Sequence, residues 1–171
     1  MLLDGVIDVG FVLPGARPPQ LRFVRLPADP VVPVCAPSHD LARRRNVSLG
    51  SLQGRPIALN RWGTGAEVFT DQLLSAGVAE APITECSDGI TSDGITAMRL
   101  ARDHGYVALV AGSVAEDAIE AGELSRISLR PAPRWNVPLA LAYRASDQRE
   151  PAIAALRRAV STRGAPSGSS A

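Results

Sequence analysis

At 171 residues, 46% apolar and 20% charged, the chain has enough length and apolar content for a sizeable core and reads as globular rather than disordered. Eighteen basic residues, all of them arginine, stand against seventeen acidic ones, and the net charge of +1 gives no electrostatic reason to expect nucleic-acid binding. No apolar run reaches the roughly 18 residues of a membrane span and no signal-peptide pattern opens the chain, so a cytoplasmic protein without a membrane partner is expected.

The first thirteen residues read as the last turn of a helix, a stop at Gly5, and a strand. Glycine suits the left-handed position that ends a helix. Ile7, Val9, Phe11 and Leu13 alternate ahead of Pro14-Gly15, which predicts a strand with one strongly buried face. Only three or four residues precede the helix stop, so the chain is expected to begin inside a domain. Leu21–Leu26 and Val31–Ala36 are extended segments around Pro27-Ala28-Asp29-Pro30, with a backbone restricted by proline. Ser48–Leu52 is a short helical turn ending at Gly54, and Pro56–Asn60 is a strand.

Thr64-Gly65-Ala66-Glu67 has the form of a capping box, and Phe69, Leu73 and Ala76 recur at helical spacing before Gly77. Ile83–Ser87 is a strand, followed by a helix from about Thr96 to His104 and a fully apolar strand, Tyr106–Ala111. Ser113-Val114-Ala115-Glu116 repeats the capping-box form and opens a helix that ends at Gly122. Leu124–Arg130 and Asn136–Tyr143 are strands joined by Pro131-Ala132-Pro133. Pro151 begins the last helix, which runs to about Arg163, and 165–171 is a Gly/Ser-rich tail of disordered character.

Strands alternating with helices predict an α/β fold with mostly parallel sheets. Two extended stretches, about Phe23–Cys35 and Ile127–Tyr143, bracket the central block. That arrangement suits a two-lobed binding protein, and a single doubly wound domain fits the pattern as well.

Several motifs occur in an order that resembles the effector-binding domain of LysR-type transcriptional regulators. Leu-x-x-Gly-x-x-Asp opens the series at Leu2. Leu26-Pro27-Ala28-Asp29-Pro30-Val31 follows, then Ser38-His39-Asp40-Leu41-Ala42, then Val47-Ser48-Leu49 through Gly54-Arg55-Pro56-Ile57. Ala97-Met98-Arg99-Leu100-Ala101 leads into Gly105 through Val114, where His104-Gly105-Tyr106 and Ala111-Gly112 depart from the family pattern. Pro138 through Arg144 and the Pro151–Val160 helix close it.

The resemblance implies a two-lobed, periplasmic-binding-protein-like (type II) fold. Its distal lobe, 35–134, would be complete; 1–34 would hold a partial proximal lobe and the first crossing, 135–163 the second crossing and the return, and 164–171 the tail. It also implies an effector-binding (co-inducer) role with a small, anionic metabolite held between lobes, homo-oligomers in the intact family, and DNA contact only through a helix-turn-helix absent from this chain. A solute-binding protein or a small enzyme on a similar two-lobed fold is the alternative.

Candidate binding chemistry lies before the predicted helices. Asn60-Arg61-Trp62-Gly63-Thr64-Gly65 joins a strand to a helix N-terminus, where free N–H groups and the macrodipole favour an anion by about 0.3–1 kcal/mol, and up to ~2 when partly buried. Thr64 could donate its hydroxyl, Gly65 permits close approach, and Arg61 could pair with a carboxylate. Ser87-Asp88-Gly89-Ile90-Thr91 repeats as Ser92-Asp93-Gly94-Ile95-Thr96. The resemblance places a cleft-lining hydroxyl at Thr96, or at Thr91 in the other register, and the repeat equally fits a tolerated duplication in a surface loop.

Nothing points to catalysis, a metal or a cofactor. His39 and His104 lack a nearby nucleophile or second ligand, no G-x-S-x-G elbow occurs, and Gly63-Thr64-Gly65 lacks the Gly-Lys-Ser/Thr end of a P-loop. Cys35 and Cys86 read as inert buried thiols, with a redox-sensing pair as the alternative. Arg43-Arg44-Arg45 reads as a solvated turn, and Trp62 and Trp135 as core or cleft residues.

Overall fold

The first thirteen residues fold on two kinds of local signal, a glycine stop and an alternating strand. In the computed structural model, which describes residues 1–13, 17–60, 83–86, 94–147 and 151–163 together with Leu73, Ser75 and Val78, Gly5 has φ +70. The Gly5 N–H donates to the Leu2 carbonyl (3.3 Å) and the Val6 N–H to the Met1 carbonyl (3.0 Å), which is the double closure of a Schellman turn. Strand β1 (Val9–Val12) follows.

The chain divides into two compact units, Met1–Ala28 with Pro138–Ala171, and Asp29–Val137. The first unit holds a three-stranded antiparallel sheet in the order β1, β9 (Ala140–Arg144), β2 (Leu21–Arg25). Helix α3 (Pro151–Arg163) belongs to the same unit and buries Ile153. Arg144 ties the N-terminal turn to β9. Its Nη1 donates to the carbonyls of Leu2 and Ile7 (both 3.0 Å), and its Nη2 pairs with Asp8 (2.7 Å) and Asp147 (2.6 Å).

The face expected to be strongly buried along β1 is not. Phe11 is 62% exposed and Leu13 40%, although Leu141 and Tyr143, opposite Phe11 and Val9 on β9, are buried. The strand is present but its apolar face is open, because β1 is an edge strand and cover fades away from the central β9.

The second unit is built on a six-stranded sheet, ordered β5 (Ile83–Cys86), β4 (Ile57–Asn60), β6 (Val107–Ala111), β3 (Asp29–Cys35), β7 (Ser125–Arg126), with β8 (Asn136–Val137) also on β3. Helices α1 (Gly94–His104) and α2 (Gly112–Glu120) cover one face. Val32, Val34, Ala58, Ala108 and Val110 meet Ala97, Ala101 and Ala115 there, and the small side chains let helix and sheet approach closely. On the other face Ile57, Leu59, Val107 and Leu109 are fully buried, as are Leu41, Leu52, Leu73 and Val78 elsewhere in the unit. Burying side chains of this size contributes about 1.5–3 kcal/mol each.

Several expectations need correction. The sheets are not mostly parallel: only β4–β5 and β4–β6 are, while β3 runs antiparallel to β6, β7 and β8. Strand β3 arrives directly from β2 with no helical crossover, and it starts level with the end of β6, Val31 opposite Ala111. Segment 124–130 keeps only the two-residue β7 and a single parallel bridge from Leu129 to Val47. The strand expected over 136–143 is split at Pro138-Leu139 into β8 and β9, which belong to different units; proline has no N–H for a ladder. The second unit runs from Asp29 to Val137, so β3 and β8 both lie in it.

The helix expected from Thr96 starts at Gly94. The helical turn expected over Ser48–Leu52 is present as one turn of 3-10 helix, Leu49–Leu52, followed by Gly54 at φ +73. Of the helix expected over 64–76, Leu73 and Ser75 are described and helical; the Thr64 capping box and the 165–171 tail lie outside the described residues.

Candidate functional site

Ligands of open α/β sheets sit beyond the carboxyl ends of the parallel strands, where turns lead into helix N-termini. In the second unit those ends are β4, β5 and β6. The ladder places Asn60 opposite Cys86 and Leu59 opposite Leu109, so the three strands finish together at one edge of the sheet. The chain leaves that edge into segment 61–72, into 87–93 ahead of α1, and directly into α2.

The end of β6 is already filled by the chain itself. Ser113-Val114-Ala115-Glu116 does not form the expected capping box, because α2 begins one residue earlier, at Gly112, and Ala111 in the N-cap position makes no side-chain cap. One of the free backbone donors, the Ser113 N–H, is met from outside the helix. Asp29, the first residue of β3, accepts from the Ser113 N–H with both carboxylate oxygens (3.2 and 3.4 Å) and from the Ser113 hydroxyl. Gly112 makes this possible, since a Cβ there would lie 3.1 Å from the Pro30 carbonyl oxygen and 3.3 Å from Asp29 Oδ1. The α2 N-terminus therefore holds an anion of its own.

Asn60 is the last residue of β4, at the sheet edge. Thr96 is exposed on the first turn of α1, which packs on β4 and β6. Arg61, Trp62, Thr64, Gly65 and Thr91 lie outside the described residues. The pairing of Asp29 with Ser113 is not visible in the sequence, because the two residues are 84 residues apart.

A second polar cluster lies elsewhere in the unit. Arg55 grips Asp40 with two hydrogen bonds (2.6 and 2.8 Å), and Arg44 pairs with the same carboxylate (3.1 Å). The Arg55 hydrogen bonds hold the Asp40 carboxyl below its usual range; burial is the next effect and opposes them, and the charges of Arg55, His39 and Arg44 add to the lowering. His39 Nδ1 accepts the Leu41 N–H (3.1 Å); burial lowers its pKa, Asp40 opposes and Arg55 reinforces. Burial pushes the Cys35 thiol up to about 11, with Asp40 adding and Arg55 opposing. Cys35 is fully buried, with its thiol 3.8 Å from the Ser125 carbonyl oxygen, so it is an inert thiol as expected; the side chain of Cys86 lies outside the described residues. Trp135 is a core residue. Among the described residues, no three His, Cys, Asp or Glu side chains cluster as a metal site would require, and no helix is long and apolar enough to cross a membrane.

The family model of the LysR substrate binding domain matches residues 1–165. The chain belongs to that family. No curated protein matches it. Solved structures share the fold at low identity. The regulatory domain of NMB2055 (MetR), a LysR family regulator from N. meningitidis, aligns with TM-score 0.63 and 18% identity over 95% of this chain and 75% of that one. The reduced OxyR regulatory domain from Pseudomonas aeruginosa aligns with TM-score 0.67 and 20% identity over 94% and 75%. The Synechocystis PCC6803 CcmR regulatory domain, solved in complex with 2-PG, gives TM-score 0.69 and 11% identity over 97% and 77%. The fold is thus the two-lobed, periplasmic-binding-protein-like type II fold of LysR regulatory domains, and the chain is the substrate-binding domain of a LysR-type transcriptional regulator.

Proposed function

We propose that this LysR substrate-binding domain senses a small anionic metabolite, bound at the carboxyl edge of β4 and β5 by Asn60, Arg61, Trp62, Thr64 and Gly65, with Thr96 or Thr91 adding a hydroxyl. The observation that carries this reading is the common end of the three parallel strands, with Asp29 already filling the helix N-terminus beyond β6. A structural neighbour in complex with 2-PG, the CcmR regulatory domain, lends support. The domain acts as a sensor in the cytoplasm and performs no catalysis. Effector occupancy biases a homo-oligomer whose DNA contacts come from a helix-turn-helix outside this chain.

The test is a thermal-shift screen of small carboxylates and phosphates, repeated on Arg61→Ala. Ligand at 100 times its Kd stabilises by about 2.7 kcal/mol, a rise of about 5–10 °C for a chain of this size. Arg61→Ala should remove the rise. An equal rise in the variant, or no saturable ligand at all, contradicts the proposal.

A further inference from the structure

Charge is divided unevenly between the two units. The first, Met1–Ala28 with Pro138–Ala171, carries eight arginines against four acidic residues, and the second carries ten against thirteen, giving net +4 and −3. The described carboxylates of the first unit are all engaged. Asp4 pairs with the terminal ammonium (3.0 Å), and Asp8 and Asp147 pair with Arg144 (2.7 and 2.6 Å). The side chains of Arg17 and Arg25 have no hydrogen bond or ion pair with any described residue.

Both arginines line one cavity of about 430 Å³ that lies wholly within the first unit, together with Phe23, Pro138, Leu139 and Ala140. Strand β2 builds it. Side chains alternate along a strand, so Phe23 and Arg25 share one face while Arg22 and Val24 take the other. Across the ladder Ala140 stands opposite Arg25 and Ala142 opposite Phe23, small residues that leave space over that face. The Leu26 N–H donates to the Leu139 carbonyl (3.0 Å) and holds the end of the pocket together. Phe23 and Leu139 are half-buried and give the cavity apolar lining, and Arg17 and Arg25 are exposed.

We propose that this cavity is a second ligand site, separate from the edge of β4 and β5, for a small organic phosphate monoester. Arg17 and Arg25 clamp the doubly charged head, each able to offer paired N–H donors. Phe23 and Leu139 take the apolar body. The volume falls within the roughly 300–1,000 Å³ of small-molecule sites. The same two arginines on the unit of net charge −3 would face a repulsive background; on this unit the background is attractive.

The test is a calorimetric titration of the full chain with phenyl phosphate, and with inorganic phosphate in parallel. Phenyl phosphate should bind saturably at one site, about tenfold more tightly than inorganic phosphate, because only the former covers the apolar lining. Arg17→Ala and Arg25→Ala should each weaken it about tenfold or more with unchanged melting temperature. Arg22→Ala removes the same charge from the opposite face of β2 and should leave the Kd within about twofold. Equal weakening by Arg22→Ala means a diffuse field and no site, which overturns the proposal, as does absence of saturable binding. Loss of binding in Arg61→Ala would assign the anion to the edge of β4 and also overturn it, while leaving the proposed function standing.

Discussion

The contact between Asp29 and Ser113 makes a quantitative claim. Asp29 lies at the first position of β3, yet its carboxylate serves as the cap of α2, 84 residues away in sequence. Replacing it with alanine removes an acceptor for the Ser113 N–H and hydroxyl and leaves the α2 N-terminus without its counter-charge. Loss of an N-cap costs about 0.5–2 kcal/mol and loss of a carboxylate at a helix N-terminus about 0.3–1 kcal/mol at an exposed site, terms that overlap in part. A total of about 1–2 kcal/mol corresponds to a fall of about 2–8 °C in Tm for a chain of this length. Asp29→Asn keeps an oxygen acceptor and loses only the charge, so it should fall by less than half as much. Differential scanning calorimetry of the three proteins at low salt reads both numbers. An unchanged Tm in Asp29→Ala would refute the capping argument, and an Asp29→Asn loss equal to that of Asp29→Ala would refute the division between hydrogen bond and charge.

Gly112→Ala should destabilise by about 1 kcal/mol or more, since its Cβ meets a backbone carbonyl at 3.1 Å, and urea denaturation checks this. In a Cys86→Ser background, Cys35 should resist a thiol reagent at pH 8 in the native protein and react fast only after unfolding, since it is fully buried and its pKa is raised to about 11. His39 titrates below its unfolded value of 6.5, so the unfolded chain binds the proton first as pH falls. Stability should therefore decline as pH drops below about 6.5, and His39→Gln should flatten that part of the curve; an unchanged slope would remove His39 as the cause. Asp40, held low chiefly by Arg55, adds stability above pH 3.8 that is lost on further acidification, a slope that Arg55→Ala should weaken.

Local grammar made most elements legible from the sequence. The glycine stops at Gly5, Gly54, Gly105 and Gly122 all carry positive φ, and the apolar run at 107–111 is a fully buried central strand. Strand direction was not legible in the same way. Whether β3 lies parallel or antiparallel to β6 depends on how the chain enters the second unit, which period-two patterning does not encode. Burial on β1 failed for a related reason: alternation reports a potential face, and the position of the strand in the sheet decides whether that face is covered. The Ser113 capping box failed because a more distant partner, Asp29, took the donors. Candidate site residues could be named where they follow a strand, as Asn60 does, whereas Arg17 and Arg25 converge only through the pairing of β2 with β9.

Hydrogen exchange read by mass spectrometry, with and without the carboxylate or phosphate giving the largest thermal shift, tests the central claim most directly. The account expects slowed exchange in segments 60–65 and 91–96 that saturates with the ligand and disappears in Arg61→Ala. Saturating ligand that leaves both segments unprotected would contradict it.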